Sequence, residues 1–247
     1  MLRAGGMREV SREWVPEVPV ALEFNGLAYA VMMATPTDLE DFVRGFALTE
    51  GLAEIPASVG EIAVAQTDKG FIVRTRLSGL GIDQLTERVR TRVAESSCGL
   101  CGIENLEAVA RPLPIVPEHD AVEEQAVFRA ISQIREQQLL NRRTGAAHGA
   151  GFASRDGDVL LVREDVGRHN AIDKLVGALA VSGLDIVEGF VISTARCSYE
   201  IVEKVVRAGG VSLVTVSLPT SMAVERARQA GLTLVSLARD DSYLRIA

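Results

Sequence analysis

The chain has 247 residues, of which 47% are hydrophobic and 24% charged, an ordinary globular balance that excludes a disordered, collagenous or disulfide-stapled protein. A formal net charge of −7 gives no basic footprint for nonspecific nucleic-acid binding or for an anionic membrane surface. Three cysteines, no basic–apolar–small leader, and a most apolar stretch (175–193) broken by Asp185 and Glu188 indicate a reducing cytoplasm and no spanning helix.

Residues 1–15 read as a loose polar leader. Two apolar runs, 18–24 and 27–33, flank Asn25-Gly26, a hairpin signal because both turn residues need positive φ. Thr37 and Glu40 have capping-box spacing, and Leu39, Phe42, Val43 and Phe46 then repeat with helical period. A second hairpin is expected over 61–66 and 71–77 around Asp68-Lys69-Gly70, followed by a helix from Ile82 to about Ala94 and a loop over 96–102. This part reads as a smaller α+β domain, 1–115, with antiparallel pairing. The run Arg111-Pro112-Leu113-Pro114, with Pro117, is the domain boundary.

A helix is expected over 122–142, stopped by Gly145. Strand-like segments 148–154 and 158–162 surround Asp156-Gly157. Helices at 170–181, 198–208 and 220–230 then alternate with strands at 188–193, 211–218 and 232–237. Such alternation indicates a parallel sheet covered by helices over 116–247.

In open α/β sheets ligands bind beyond the carboxyl ends of the strands. Here each such end is polar: 163–170, 193–198, 217–221 and 238–242. Three of these turns open helices, whose free N–H groups favour an anion, and Arg168, Arg196 and Arg239 add positive charge. The competing reading makes Ser198, Thr220 and Ser221 plain N-caps and the arginines surface pairs. Convergence of four loops on one edge favours a site.

Cys98-Gly99-Leu100-Cys101-Gly102 is a CxxC flanked by glycines. It follows a helix rather than a strand, against a thioredoxin-like pair. Structural zinc needs four ligands, and Cys197, His119, His148 and His169 complete no familiar spacing. A sulfur carrier on a swinging loop and a pair of buried, unreactive thiols remain open. His169 with Cys197 suggests a zinc deaminase, but Ala171 stands where the general acid/base belongs and Cys197 has no partner cysteine, which argues against that chemistry even if the fold is related.

The sequence closely resembles the formate dehydrogenase accessory sulfurtransferase (FdhD/NarQ) family. The resemblance rests on Gly45-Phe46 with Glu50-Gly51, the Cys98 to Gly102 loop, Thr144-Gly145-Ala146-Ala147-His148, the block from Arg163 to Lys174, Pro219-Thr220-Ser221 and Leu232-Thr233-Leu234-Val235. It implies a homodimeric sulfurtransferase with a persulfide on Cys98, and Cys101 as the second cysteine. Sulfur would pass from a cysteine desulfurase to a molybdenum (or tungsten) bis-molybdopterin guanine dinucleotide cofactor, for apo formate dehydrogenase, with GDP as a mimic of the ligand. It also implies a cytidine-deaminase-like, three-layer C-terminal domain with a parallel-rich sheet and no metal. The cofactor contacts it implies are His148, Arg168, Asn170, Asp173, Ser198, Thr220 and Ser221, with Leu237, Ala238, Arg239, Asp240, Asp241 and Ser242 after the last strand. Members often carry a glycine and a basic residue where this chain has Asp240-Asp241-Ser242, and Cys197 is an extra cysteine. Two other functions compete: a non-catalytic chaperone that delivers the guanylated cofactor, and a thiol–disulfide oxidoreductase. Persulfide formation on the CxxC separates the first from a carrier, and insulin reduction the second.

Overall fold

A computed structural model describes residues 2–3, 6–7, 12–93 and 112–247. Beyond a short ladder of Leu2–Arg3 with Gly6–Met7, it holds one sheet of four strands and one of six. Among the described residues no helix is long and apolar enough to cross a membrane.

The N-terminal sheet is built from β1 (Val18–Phe24), β2 (Leu27–Ala34), β3 (Ala63–Thr67) and β4 (Gly70–Thr75), in the order β2-β1-β4-β3. Both expected hairpins form, and Asn25 and Gly26 take φ of 53° and 81°. The antiparallel expectation fails at the centre, where β1 and β4 pair in parallel. The path between them includes helix α1 (Leu39–Thr49), a crossover long enough to set a parallel pair. Helix α2 (Ile82–Val93) follows as expected.

The Thr37–Glu40 box does not form. Asp38 occupies the N-cap of α1 at φ 51° and caps nothing with its side chain. The start of α1 is anchored across the molecule instead, by two hydrogen bonds from Arg163 to Asp41 at 2.9 and 2.8 Å. The periodic residues Leu39, Phe42, Val43 and Phe46 are buried against Val20, Leu22, Phe24 and Tyr29, with edge-on contacts among the rings.

The second sheet uses β5 (His148–Ser154), β6 (Val159–Asp165), β7 (Gly189–Ser193), β8 (Ser212–Thr215), β9 (Thr233–Ser236) and β10 (Leu244–Arg245), in the order β10-β9-β8-β7-β5-β6. Only β7–β8 and β8–β9 are parallel, so the sheet is mixed rather than parallel-rich. The tight turn at Gly157 forces β5 and β6 into a hairpin, and β7 then pairs antiparallel with β5. Helix α3 (Glu124–Gln137) covers one face through Val127, Ile131 and Ile134, against Phe190, Ile192, Val214 and Val235. Helices α5 (Arg168–Ser182), α6 (Tyr199–Arg207) and α7 (Ser221–Ala230) cover the other, against Val191, Leu213 and Leu234. Period-two alternation along β7, β8 and β9 thus feeds two cores.

The single helix expected over 122–142 is two, α3 and α4 (Leu139–Thr144), broken at Gln138. The Glu164 carboxylate accepts from Leu140 N and Asn141 N at 2.7 and 2.8 Å and so starts a new helix there. Leu113 and Val116 of the proline-rich connector are buried in the second core.

Helix α1 also packs on α5. A Cβ on Gly45 would lie 1.7 Å from the Asp173 carbonyl oxygen, and one on Gly177 would lie 1.9 Å from that of Asp41. Neither helix can carry a side chain there at this separation. Gly45→Ala should therefore destabilise the protein by about 1–3 kcal/mol or more through overpacking. It should exceed Gly26→Ala, where a Cβ meets nothing within 4 Å and only the positive φ costs, about 1 kcal/mol. Urea unfolding of both variants checks the order; equal midpoints would refute the close approach.

Candidate functional site

β6 and β7 each run antiparallel to β5, so the carboxyl ends of β6, β7, β8 and β9 leave the sheet at one edge. His148, at the amino end of β5, joins them as the register partner of Asp165. The convergence read from the sequence is therefore the observed topology.

The start of α5 is its most cationic part. Gly167 is the N-cap and offers no side chain, the first turn itself holds no acidic residue, and the acid at this start is Asp165, which accepts from Gly167 N at 2.7 Å. Arg168 opens the helix, and its Nε is buried with no hydrogen-bond partner among the described residues. Such a donor is costly unless something accepts from it. Burial, and then the Arg168 charge, push the half-buried His148 imidazole below its ordinary value, favouring its neutral form.

The α6 start adds a polar cluster. His169 Nε2 lies 3.1 Å from Glu200 Oε2 and 3.5 Å from Ser198 Oγ, and Ser198 Oγ donates to Glu200 at 3.1 Å. The hydrogen bond from His169 holds the Glu200 carboxyl below the usual carboxylate range. Ser198 takes the N-cap position without capping by its side chain, so the plain-cap reading fails for it. Because Glu200 Oε2 faces both the hydroxyl and the same ring nitrogen, the trio lacks the order of a nucleophile–base–orienter relay. Sequence reasoning missed Glu200. Nothing local ties it to His169, which lies in another loop, and only the topology joins them.

Elsewhere on the edge the capping reading holds. Thr220 Oγ1 accepts from Ala223 N at 3.2 Å, and Ser221 follows, exposed, as the first residue of α7. Leu237 sits at φ 50°, a strained conformation for a branched residue, and the buried Ala238 N donates to Thr215 O. Arg239 turns inward, its Nη1 donating to Val216 O and Ala238 O, and its backbone N bonds Ser242 O. Asp240 pairs with Arg135, and Asp241 accepts from Ser242 Oγ.

Two expected contacts stand behind the edge. Asn170 Nδ2 donates to Met33 O and Asp165 Oδ1, both at 2.9 Å. Asp173 accepts from Thr49 Oγ1 at 2.6 Å and from Lys204 Nζ at 2.9 and 3.1 Å. Both are buried and engaged with residues of the N-terminal sheet or α1. Lys204 also donates to Glu50 at 3.0 Å. Burial alone would lower its pKa, but the Asp173 and Glu50 charges outweigh that and raise it. Cys98 and Cys101 lie outside the described residues. A cavity of about 420 Å³ lies at the opposite edge, where β7 and β8 begin, lined by His119, Val122, Arg155, Phe190 and Val211 among others.

These features define a mixed α/β protein with a polar, locally cationic strand-end edge. Residues 15–245 match the FdhD/NarQ family, and the chain belongs to that family. A sulfur carrier protein FdhD of Variovorax paradoxus is 46% identical over 235 residues, 95% of this chain and 84% of its own. That of Cupriavidus necator is 44% identical over 243 residues, 98% of this chain and 84% of its own. A crystal structure assigned as a formate dehydrogenase accessory protein, from Desulfotalea psychrophila, has a TM-score of 0.75 at 23% identity. It covers 100% of this chain and 93% of that one, and it shows the fold.

Cys197 is buried, and burial pushes its thiol up to about 12. Iodoacetamide at pH 8 should leave it unmodified in the native protein and alkylate it in guanidinium. Peptide mass spectrometry reads both, and native labelling at the unfolded rate would contradict the burial.

Proposed function

We propose that the chain is a sulfur carrier that takes sulfane sulfur from a cysteine desulfurase onto Cys98 and hands it on for maturation of formate dehydrogenase. The family match over 15–245, the span in which Cys98-Gly99-Leu100-Cys101-Gly102 stands, carries this reading. Chemically, the Cys98 thiolate attacks the outer sulfur of the desulfurase persulfide. A new S–S bond forms on Cys98, the old one breaks, and the desulfurase cysteine leaves as a thiolate. Glu95 and Glu104 flank the loop in sequence and no cation does, so near the thiol they would disfavour its thiolate. On this reading the thiolate is formed only where positive charge is met, at the desulfurase or at the strand-end edge.

The acceptor is the guanylated molybdenum (or tungsten) cofactor, treated as substrate. The α5 start and the Arg168 Nε, which has no hydrogen-bond partner among the described residues, suit its diphosphates, with the exposed Arg196 beyond the end of β7 on the same edge. Residues 1–115 and 116–247 act on this reading as the sulfur-bearing and the cytidine-deaminase-like, cofactor-binding domains. The protein works in the cytoplasm as a homodimer, with Val31 and Met33, 68% and 47% exposed on the edge strand β2, at the contact. Light scattering at micromolar concentration should give the dimer mass, and a monomer mass would remove this part.

Mass spectrometry should find a +32 Da adduct on the Cys98 peptide after incubation with desulfurase and cysteine, about one sulfur atom. Cys98→Ala should abolish activation of formate dehydrogenase and leave GDP binding, measured by calorimetry, intact. Cys101→Ala should be milder. Full activation by Cys98→Ala would overturn the carrier assignment.

A further inference from the structure

Asp165 ends β6 immediately before the turn that opens α5, and it is fully buried. Its two oxygens meet four donors. Oδ1 accepts from Gly167 N at 2.7 Å and from Asn170 Nδ2 at 2.9 Å. Oδ2 accepts from Thr35 N at 3.0 Å and from Lys174 Nζ at 2.7 Å. Lys174 is itself wholly buried and donates also to Thr35 O at 2.9 Å. Thr35 Oγ1 accepts from Val166 N at 3.1 Å. The two backbone N–H groups between Asp165 and Arg168 are thus tied down, one by Asp165 and one by a residue from the end of β2. Arg168 and His169 project from the next two positions.

Four donors converging on one buried point require an acceptor-only group, and a carboxylate is that group. An amide in its place would turn an NH₂ toward two donors whichever way it was flipped. Stability alone does not explain the arrangement, because a buried ion pair is often matched or bettered by packed apolar residues of similar volume. What apolar residues cannot do is fix the direction of the turn.

We infer that Asp165 is a positioning residue which, with Lys174 and Thr35, sets the turn carrying Arg168 and His169 and so shapes the anion-binding edge from the N-terminal sheet. The inference rests on the reading of that edge as a nucleotide site and deepens it. Its further consequence is that the N-terminal sheet, whose chain continues to Cys98, acts on the cofactor edge through Thr35.

His148 gives a readout that a merely structural role would not move. The charged groups facing it are Arg168 and His169, which lower its pKa, and Asp165, which raises it. Asp165→Asn removes the one charge that supports its protonation. If the turn persists without the carboxylate, the His148 pKa, followed by NMR, falls further below its wild-type value, and Asp165 does not set the turn. If the turn swings and carries Arg168 away, the pKa climbs back toward the ordinary histidine value, with the urea midpoint and the spectrum showing that the protein is still folded. GDP affinity, by calorimetry, is expected to drop at least about tenfold. Thr35→Val keeps the size of the side chain and removes only the acceptor for Val166 N. It should weaken GDP severalfold and, because it removes no charge, raise the His148 pKa only as far as Arg168 moves, and it serves if Asp165→Asn does not fold. Wild-type GDP affinity in both variants, or a downward shift of His148 in Asp165→Asn, overturns the inference. If the wild-type protein itself fails to bind GDP, the nucleotide reading falls, and the direction of the His148 shift in the folded variants alone decides the positioning.

Discussion

The reciprocal contact of Gly45 with Asp173 and of Gly177 with Asp41 sets the distance between α1 and α5, and the buried chemistry of the molecule follows from that distance. Helices that approach backbone to backbone exclude water from the seam. Polar groups inside it must then find partners within the protein or cost several kcal/mol each. Two clusters meet this demand. Near the carboxyl end of α1, Lys204 gathers Thr49, Glu50 and Asp173, with its ammonium 5.5 Å from the Phe46 ring centroid. Beyond its amino end, Lys174 gathers Asp165 and Thr35.

Each cluster lies behind a helix whose start forms part of the strand-end edge. Asp173 and Lys174 are on α5, which opens with Arg168 and His169. Lys204 is on α6, which opens with Glu200 in its first turn. Asp173 joins the two by accepting from Lys204. The relative placement of the α5 and α6 starts is therefore fixed from the rear by α1 and the end of β2. Apolar side chains packed in the same seam would exclude water equally well, but they would fix no direction. Directional bonds to charged groups remove that freedom.

Much of this was legible in the sequence, and the misses share a cause. Hairpins and helices announced themselves through Asn25-Gly26, the 3.6-residue repeat in α1, and Gly145 and Gly231, both left-handed at helix ends. The four polar strand ends were legible as well. What no local pattern encodes is which segment stands opposite. Asp38 turns away from a capping role because α1 is anchored by Arg163, a residue far along the chain. Gln138 breaks a helix of sound periodicity because Glu164 caps a new start beside it. Asn170 and Asp173 sit inside the block that resembles the family most closely, yet they face the N-terminal residues rather than the edge. Within one block of resemblance, geometry separates the residues that face the edge from those that face the N-terminal half.

An acidic protein with a net charge of −7 can still present a site for anions, because the field at an edge is set by local placement. At the strand ends the carboxylates are largely engaged. Glu200 is bonded to His169 and Ser198, Asp165 is buried against Lys174, and Asp240 is drawn to Arg135. Asp241 accepts from Ser242 Oγ, and Arg239 holds the loop interior through the carbonyls of Val216 and Ala238. Arg168 Nε, by contrast, has no acceptor among the described residues, and the acid at that helix start, Asp165, is held inward by Lys174 and Thr35. On the proposed reading the edge would draw negative charge through the way its acids are occupied, rather than through an excess of bases.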